Sequence, residues 1–230
     1  NTAANVTHST TASIGSSVVV DAGGDITVDA DDITEVDVIA GAVALGGFYG
    51  VGGAVALVNL MSRTNATVGS SADLSAGDDV TVDAKGTVNE SILQTIAGTA
   101  GQISLGAAFA KILSDNDATA SVGNNAKIRK ADQFQVLAEN YSNIQAESYG
   151  ASVGAGAIGV SLAEGRETGT AAASLGSGVD VADEANGKTV NDVLVQAKAS
   201  NYVQGYAVAA AGGIISGTGS SATAKANANT

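Results

Sequence analysis

Short runs in which apolar and polar residues alternate recur along this chain at a regular interval. The first clear run is Ile26 to Ala30, and it returns as Val80 to Ala84. Related runs follow at Phe134 to Ala138 and Val193 to Ala197. Alternation with a period of two is typical of strands with one buried face. Because glycine and β-branched residues occur throughout, the pattern predicts strands and no stable amphipathic helix.

The interval between the runs defines a repeat. A Ser/Thr-x-Gly cassette precedes each run, and its glycines, Gly15, Gly69, Gly123 and Gly176, are 54, 54 and 53 residues apart. A fixed period of this size is typical of a repeat architecture. We assign residues 1–12 to the end of a preceding repeat, and 13–66, 67–120 and 121–173 to three repeats. Residues 174–230 form a fourth repeat and the start of the next, in one array that we expect to be a segment of a longer one.

Each repeat has the same internal order. In the first, Ala22 to Gly24 predicts a turn, the alternating strand follows, and a section rich in Gly and Ala leads to an apolar strand from Ala54 to Leu60. The polar run Ser62 to Asn65 then predicts a second turn. Ser114 to Asp117 occupies the same place in repeat two. Repeat four carries additional residues, Asp183 to Lys188, which we expect to form a loop at one corner.

These features predict an all-β fold, a right-handed parallel β-helix (β-solenoid) built from repeats of ~54 residues. We expect three coils of ~18 residues per repeat, each rising about 4.8 Å, so that four repeats extend ~60 Å. Val, Ile and Leu columns would stack inside, with turn Asp and Asn residues at the corners. An array of β-sandwiches is the alternative. The Gly/Ala sections argue against it, because a sandwich core needs larger side chains.

Composition narrows the functional classes. The chain has 30 Gly, no Pro and no Cys, so it has neither a disulfide framework nor thiolate metal ligands, and Ala, Val, Ile and Leu must fill the interior. Its formal net charge of −13 would repel a phosphate backbone, which excludes nucleic acid as an expected partner. The acidity favours solubility of a long, sheet-rich body.

Calcium is the one cofactor that the sequence leaves open. Seven carboxylates lie between Asp21 and Asp37, and calcium binds six to eight oxygens. However, Asp29 is matched by Asp83 and then by Leu137 and Gln196, so no ladder of ligands continues through the repeats. We therefore predict that these aspartates are solvated and cap turns, and that no cofactor is bound.

The sequence predicts no enzyme, and we assign no catalytic, cofactor-binding or metal-binding residue. The only histidine, His8, has no partner motif near it. Paired carboxylates could serve glycoside hydrolysis, but pairs arise by chance among 23 acidic residues. A polysaccharide-active β-helix is therefore an alternative that the sequence supports only weakly.

One uncharged stretch, Val38 to Ser62, is long enough to span a bilayer as a helix, and Gly46 and Gly50 in it have a Gly-x-x-x-Gly spacing. The matching stretch of repeat two contains Gln94, Gln102 and Lys111. Because repeats should share one fold, we predict buried β-coils here and no transmembrane segment.

Four tyrosines lie in the second half of the chain: Tyr141, Tyr149, Tyr202 and Tyr206. On one exposed face they could stack on sugar rings or pack against a neighbouring filament. The plainer expectation is that they cover the ends of sheets.

The repeat pattern resembles that of very large filamentous adhesins of bacteria, among them the leukotoxin-family filamentous adhesins and other passengers of type V secretion. Ala22 to Ala30, Ala76 to Ala84 and Gly52 to Asn59 carry the resemblance. It implies an extracellular or cell-surface location and a structural or adhesive role, as a stiff stalk or a fibre scaffold. The expected partners are neighbouring repeats or further copies of the chain. A module that binds a glycan or protein, with Tyr149, Tyr202 and Tyr206 as candidates, is the alternative.

Overall fold

A computed structural model describes residues 1–182, 186–227 and 229–230. This part of the chain forms fourteen β-strands and contains no α-helix, which confirms the all-β prediction. The strands are β1 (Thr2–Ile14), β2 (Val19–Asp21), β3 (Ile26–Thr34), β4 (Val38–Leu45), β5 (Tyr49–Val68), β6 (Asp73–Ser75), β7 (Val80–Ala100), β8 (Ile103–Val122), β9 (Lys127–Val153), β10 (Gly156–Glu167), β11 (Ala171–Leu175), β12 (Asp180–Val181), β13 (Val190–Gly212) and β14 (Ile215–Ala226).

The strands form two sheets in which neighbours run parallel. The first sheet has the order β1-β5-β8-β10-β14, with β11 beside β8. The second has the order β2-β6-β9-β7-β3, with β4 beside β7 and with β12 and β13 beside β9. The chain alternates between them: β5 lies in the first sheet, β6 and β7 in the second, and β8 in the first again. We call one such circuit a pass.

One repeat makes one pass. In the first sheet Thr2 pairs with Ala56 and Asn65 with Thr119, so each residue lies beside its counterpart in the next repeat. The prediction of three coils per repeat is therefore wrong, and a repeat advances by one strand spacing, about 4.8 Å, rather than ~14 Å. Long strands, such as β5 and β8 with 20 residues each, replace the short strands that the sequence predicted.

The two predicted polar turns are also wrong. Ser62 to Asn65 lies inside β5 and Ser114 to Asp117 inside β8. In both runs every second side chain continues to point inward, and Ser62, Thr64 and Asn116 are all buried. Ser62 Oγ and Asn116 Nδ2 find hydrogen-bond partners in the interior, whereas Thr64 Oγ1 has none within the described residues.

The interior between the sheets is divided along the strands. The largest apolar cluster includes Val28, Leu74, Val82 and Phe134 and lies beside the short strands. A second cluster follows further along the strands, around Leu93, Ile112 and Ile144. The third consists of Ala54, Ala97 and Ala108, so the side chains become smaller towards the Gly/Ala-rich turns.

The decrease in side-chain size follows from a close approach of the two sheets. A Cβ atom added to Gly106 would lie 2.6 Å from the carbonyl oxygen of Ala151, and one added to Gly150 would lie 2.4 Å from that of Val160. Each contact joins one sheet to the other. At this end the facing backbones leave room only for glycine, alanine and small hydroxyl side chains.

The repeating glycine of the cassette is explained by a stacked corner. A Cβ atom on Gly69 would lie 2.4 Å from the backbone nitrogen of Ser16, and one on Gly123 would lie 2.6 Å from that of Ser70. Two residues after these glycines the backbone is left-handed, with φ of 58° at Ser17, 57° at Ser71, 56° at Asn125 and 68° at Gly178. The corner thus requires glycine at the first position, because the stacked backbone leaves no room for a side chain. Two residues later it requires a residue that adopts a positive φ.

The additional residues of repeat four change the register between β12 and β13. Before them, Ser177 donates a hydrogen bond to Asn124, at a sequence separation of 53. After them, Asn191 donates one to Asp132, at a separation of 59. The separation therefore grows by six positions, which matches the predicted insertion. Residues 183–185 of that insertion lie outside the described residues.

Candidate functional site

All four tyrosines of the second half point outward from the second sheet. Tyr141 and Tyr149 lie on β9, and Tyr202 and Tyr206 lie on the adjacent strand β13. The register places Tyr202 opposite Asn143 and Tyr206 opposite Glu147. Each tyrosine of β13 is therefore a diagonal neighbour of one on β9. Among the described strands, β13 pairs with β9 alone. The tyrosine face is therefore an exposed face that also lies near a sheet end.

The two pairs are separated along the strands by an amide pair, Gln145 opposite Gln204. The pair closer to the Gly/Ala-rich turns is in ring contact: the centroids of Tyr149 and Tyr206 are 5.8 Å apart, with the ring planes inclined at 56°. An inclined arrangement of this kind is favourable for aromatic rings. The rings, with Gln145, Glu147 and Gln204, line a shallow groove of about 430 Å³.

Glu147 organises the polar contacts of this groove. Its carboxylate accepts hydrogen bonds from Tyr149 Oη at 3.1 Å, from Gln94 Nε2 at 2.8 Å and from Gln145 Nε2. Burial of Tyr149 raises the pKa of its phenol above the ordinary value, and the hydrogen bond and charge of Glu147 raise it further. The phenol therefore stays a neutral donor at physiological pH, and the groove presents aromatic edges beside amides and one carboxylate.

A second group of polar residues lies inside the molecule, between the two larger apolar clusters. In the first pass Asp32 accepts hydrogen bonds from Ser62 Oγ at 2.6 Å and Thr10 Oγ1 at 3.1 Å. Its Oδ2 also lies 2.7 Å from His8 Nε2, which in turn is 2.9 Å from Thr34 Oγ1. The sequence near His8 contains no partner motif because its partners come from other strands.

The hydrogen bonds decide the ionisation of Asp32. Burial alone would raise its pKa, but the hydrogen bonds from Ser62 and His8, the charge of His8 and the hydrogen bond from Thr10 together lower it below the ordinary value. Asp32 is consequently an ionised carboxylate that the fold holds at 8% exposure. A charge this far from water is tolerated because its oxygens are hydrogen-bonded.

The same polar layer continues in later passes with amides and a glutamate. Asn116 Nδ2 donates to Asn140 Oδ1 at 2.9 Å, and both residues are fully buried. Glu167, also fully buried, accepts a 2.9 Å hydrogen bond from the backbone nitrogen of Gly169. Its Oε2 has no hydrogen-bond partner within the described part of the chain. Burial raises the pKa of Glu167, and the hydrogen bonds that it accepts lower it by less.

The acidic residues that suggested calcium are arranged as the alignment predicted. Asp29 pairs with Asp83, Asp83 with Leu137 and Leu137 with Gln196, so the column of carboxylates ends after two members. Burial raises the pKa of Asp83, and the charge of Asp29 raises it further. Within residues 1–182, 186–227 and 229–230, no three His, Asp or Glu side chains are grouped as metal ligands would be.

The prediction that the aspartates between Asp21 and Asp37 are solvated and cap turns holds for Asp25 but is wrong for Asp32, which is buried inside β3. Asp25 Oδ1 accepts a 3.0 Å hydrogen bond from the backbone nitrogen of Asp79, and Asp79 Oδ1 accepts one of the same length from that of Gln133. Each bond connects a turn to the turn of the next pass.

The uncharged stretch Val38 to Ser62 forms β4 and most of β5, as predicted, but it is not buried throughout. Its outward side chains Val43, Leu45 and Tyr49 are at least 70% exposed. A membrane-crossing helix, long and apolar enough to span the bilayer, is not found in the described residues.

No family model, curated protein or solved structure matches this chain in comparisons of sequence and structure. The resemblance to filamentous adhesins therefore stays a prediction that depends on the repeat pattern.

Proposed function

We propose that this chain is a structural segment of a secreted bacterial surface or filament protein, in which a right-handed parallel β-helix forms a stiff scaffold. The observation that carries the proposal is the register of one pass per repeat, which stacks equivalent positions of successive repeats on one another. Right-handed crossovers are the rule for parallel strands of one sheet. A body of this kind presents the same faces over its whole length, as a stalk or fibre requires.

The interior supports this mechanical role. The long strands pair along nearly their whole length, as in the continuous register of β5 with β8 from Tyr49–Ile103 to Val68–Val122. Successive passes stack closely at the corner glycines and are hydrogen-bonded to each other through the turn aspartates. Three apolar clusters fill the space between the sheets. Bending such a rod would require many backbone hydrogen bonds to break together.

Electron microscopy of the native assembly, at a resolution that separates strands, tests the scaffold. We expect a continuous rod with an axial repeat of about 4.8 Å, one strand spacing for each pass. Discrete globules joined by linkers, or separate two-sheet domains, would contradict the proposal.

A second function, binding of a glycan or protein partner, is favoured by the tyrosine face. Four outward tyrosines on two adjacent strands flank hydrogen-bonding amides, and the groove at Tyr149 and Tyr206 is open to solvent. Aromatic rings with a polar edge suit ligands that are apolar on one face and hydroxylated at the rim.

A glycan array with the native chain, followed by Tyr149→Ala and Tyr206→Ala variants, tests this function. We expect both substitutions to reduce binding of any glycan that the native chain retains. Tyr49→Ala is the matched control, because Tyr49 is 70% exposed but lies on the first sheet. Equal binding by all three variants would remove the tyrosine face as the binding site.

A further inference from the structure

The charged residues of this chain are confined to one part of every pass. Residues 38–62, 91–110, 148–163 and 199–224 contain no Asp, Glu, Lys or Arg. The strand pairings bring these four ranges together around the Gly/Ala-rich turns, across both sheets. We call this part the uncharged end. In the third pass it extends from Glu147 on one sheet and Glu164 on the other to the turn at 154–155, about 25 Å at 3.3 Å per residue.

Within the uncharged end, large apolar side chains lie mainly outside, and the inward side chains near the turns are small, either alanines such as Ala54, Ala97 and Ala108 or hydroxyl residues. Large apolar residues point outward on both sheets, among them Leu45 at 81%, Ile158 at 53% and Ile215 at 77% exposure. Small hydroxyl residues point inward and bond to one another. Ser104 Oγ lies 2.7 Å from Ser152 Oγ, and Ser161 Oγ donates to the backbone oxygen of Ser148 at 2.6 Å.

Two of the turns that close the uncharged end carry large apolar residues as well, whereas the turn between β7 and β8 carries the exposed Gln102. Phe48 is 65% exposed and Ile214 is 90% exposed, and both lie between strands of opposite sheets. The apolar surface therefore covers two faces and part of the rim that joins them. A flat partner, such as the sheet of a second copy, would cover only one of these faces at a time. A bilayer would cover all of them together.

Side chains and backbone both suit a hydrocarbon environment. Apolar residues outside with small polar residues inside is the pattern of β-structure in membranes. The backbone groups of adjacent passes are bonded to each other, as hydrocarbon requires. Tyr149 and Tyr206 lie at the border with the charged part, where aromatic rings with a polar edge are enriched in membrane proteins. The depth of about 25 Å compares with a hydrocarbon core of about 30 Å.

We propose that the uncharged end inserts edge-on into a lipid bilayer, so that the axis of the repeat array lies parallel to the membrane surface. The strands then run along the bilayer normal, and the acidic part, which carries the whole net charge of −13, stays in water. Because that charge is negative, zwitterionic lipid is the preferred surface. Association should weaken when anionic lipid is added, and salt should restore it.

The chain contains no tryptophan, so a single introduced one reports its own surroundings. Phe48→Trp places the probe at the rim of the uncharged end, and Val19→Trp places it at the opposite corner, where Val19 is 75% exposed. With phosphatidylcholine vesicles we expect a blue shift and quenching by brominated acyl chains for Phe48→Trp alone. No shift with vesicles would overturn the proposal. A shift that needs no lipid and grows with protein concentration would also overturn it, in favour of contact between copies.

Vesicle flotation with charge substitutions completes the test. Leu45→Lys should reduce partitioning by about tenfold or more, whereas Val19→Lys, at a site of similar exposure, should leave it unchanged. Both side chains point into solvent, so circular dichroism should show an unchanged β spectrum for each variant. Equal flotation of the two variants would contradict edge-on insertion.

Discussion

Ser62 donates a 2.6 Å hydrogen bond to Asp32 across the interior of the molecule, from the first sheet to the second. The two residues are 30 positions apart in sequence, so the bond connects the two sheets within one repeat. Their bond shows that the space between the sheets is not uniformly apolar: a layer of polar side chains separates the two larger apolar clusters. Its members determine how stability should depend on pH.

Replacing Asp32 with alanine should lower the free energy of unfolding by about 2–3 kcal/mol at neutral pH, because Ser62 and Thr10 would lose a buried acceptor. The pKa of Asp32 is lowered in the folded state, so its contribution is present above the unfolded-state pKa, about pH 4. It is lost as the pH falls through the folded value. Urea unfolding of both proteins over a pH series measures this. A difference that does not decrease towards acidic pH would contradict the assignment.

Glu167→Gln should have the opposite effect. The pKa of Glu167 is raised, so the carboxylate stabilises the fold fully below its unfolded-state pKa, and this contribution is lost as the pH rises through the folded value. A neutral amide avoids that loss. We expect the variant to be more stable than the native chain by about 1 kcal/mol near pH 8 and equal to it below about pH 4.

The control for Glu167 lies three residues earlier in the same strand. Glu164 pairs with Lys111 at 3.1 Å and is 37% exposed, so Glu164→Gln should change the free energy of unfolding little. A similar pH profile for both variants would show that burial of Glu167 is not the cause.

Gly69→Ala should destabilise the corner by about 1–3 kcal/mol, because the added methyl would lie 2.4 Å from the backbone nitrogen of Ser16. Gly23→Ala is the matched control: a Cβ atom there has no neighbour within 4 Å. Thermal unfolding of both variants measures the difference. If Gly23→Ala lowers Tm as much as Gly69→Ala, stacking of the corners is not the reason for the repeating glycine.

The bidentate ion pair between Arg129 and Asp73 should stabilise the contact between two adjacent passes measurably. Arg129 Nε and Nη2 donate to the two carboxylate oxygens of Asp73, each at 2.5 Å, and the hydrogen bond of Arg129 lowers the pKa of Asp73. A double-mutant cycle should give a coupling free energy of about 0.5–1 kcal/mol, and this energy should decrease in high salt. The more exposed pair Lys198–Glu139 should give a coupling free energy near zero. A larger value for this pair than for Arg129–Asp73 would contradict the prediction.

Much of this fold could be predicted from the sequence because stacked positions keep their spacing. The column Asp29, Asp83, Leu137 and Gln196 was aligned from sequence alone and is confirmed by the pairing. The number of passes per repeat could not be predicted, since alternation shows that a strand exists but not where the chain changes direction.

The polar layer was missed for a related reason. The run Ser62 to Asn65 has the composition of a turn, although Ser62 and Thr64 point inward like the apolar residues before them. The signal that could have located it is the alternation of small side chains, Ser62 and Thr64, with larger ones through this run, together with Asn116, which pairs with Ser62 in the next repeat. The tyrosine face was anticipated as a possibility, but the contact between Tyr149 and Tyr206 depends on the shifted register of β13 against β9.

A repeat that makes only a single pass has a consequence for how much chain a long rod requires. Each pass adds about 4.8 Å of length, so a rod of about 100 Å needs about 20 passes and more than about 1,000 residues. An extended chain of the same reach needs only about 30 residues. Most of the polypeptide therefore contributes to the cross-section of the rod rather than to its length. The resistance of a rod to bending rises steeply with the width of its cross-section. A protein built this way gives up reach per residue in return for rigidity and for wide, continuous lateral surfaces.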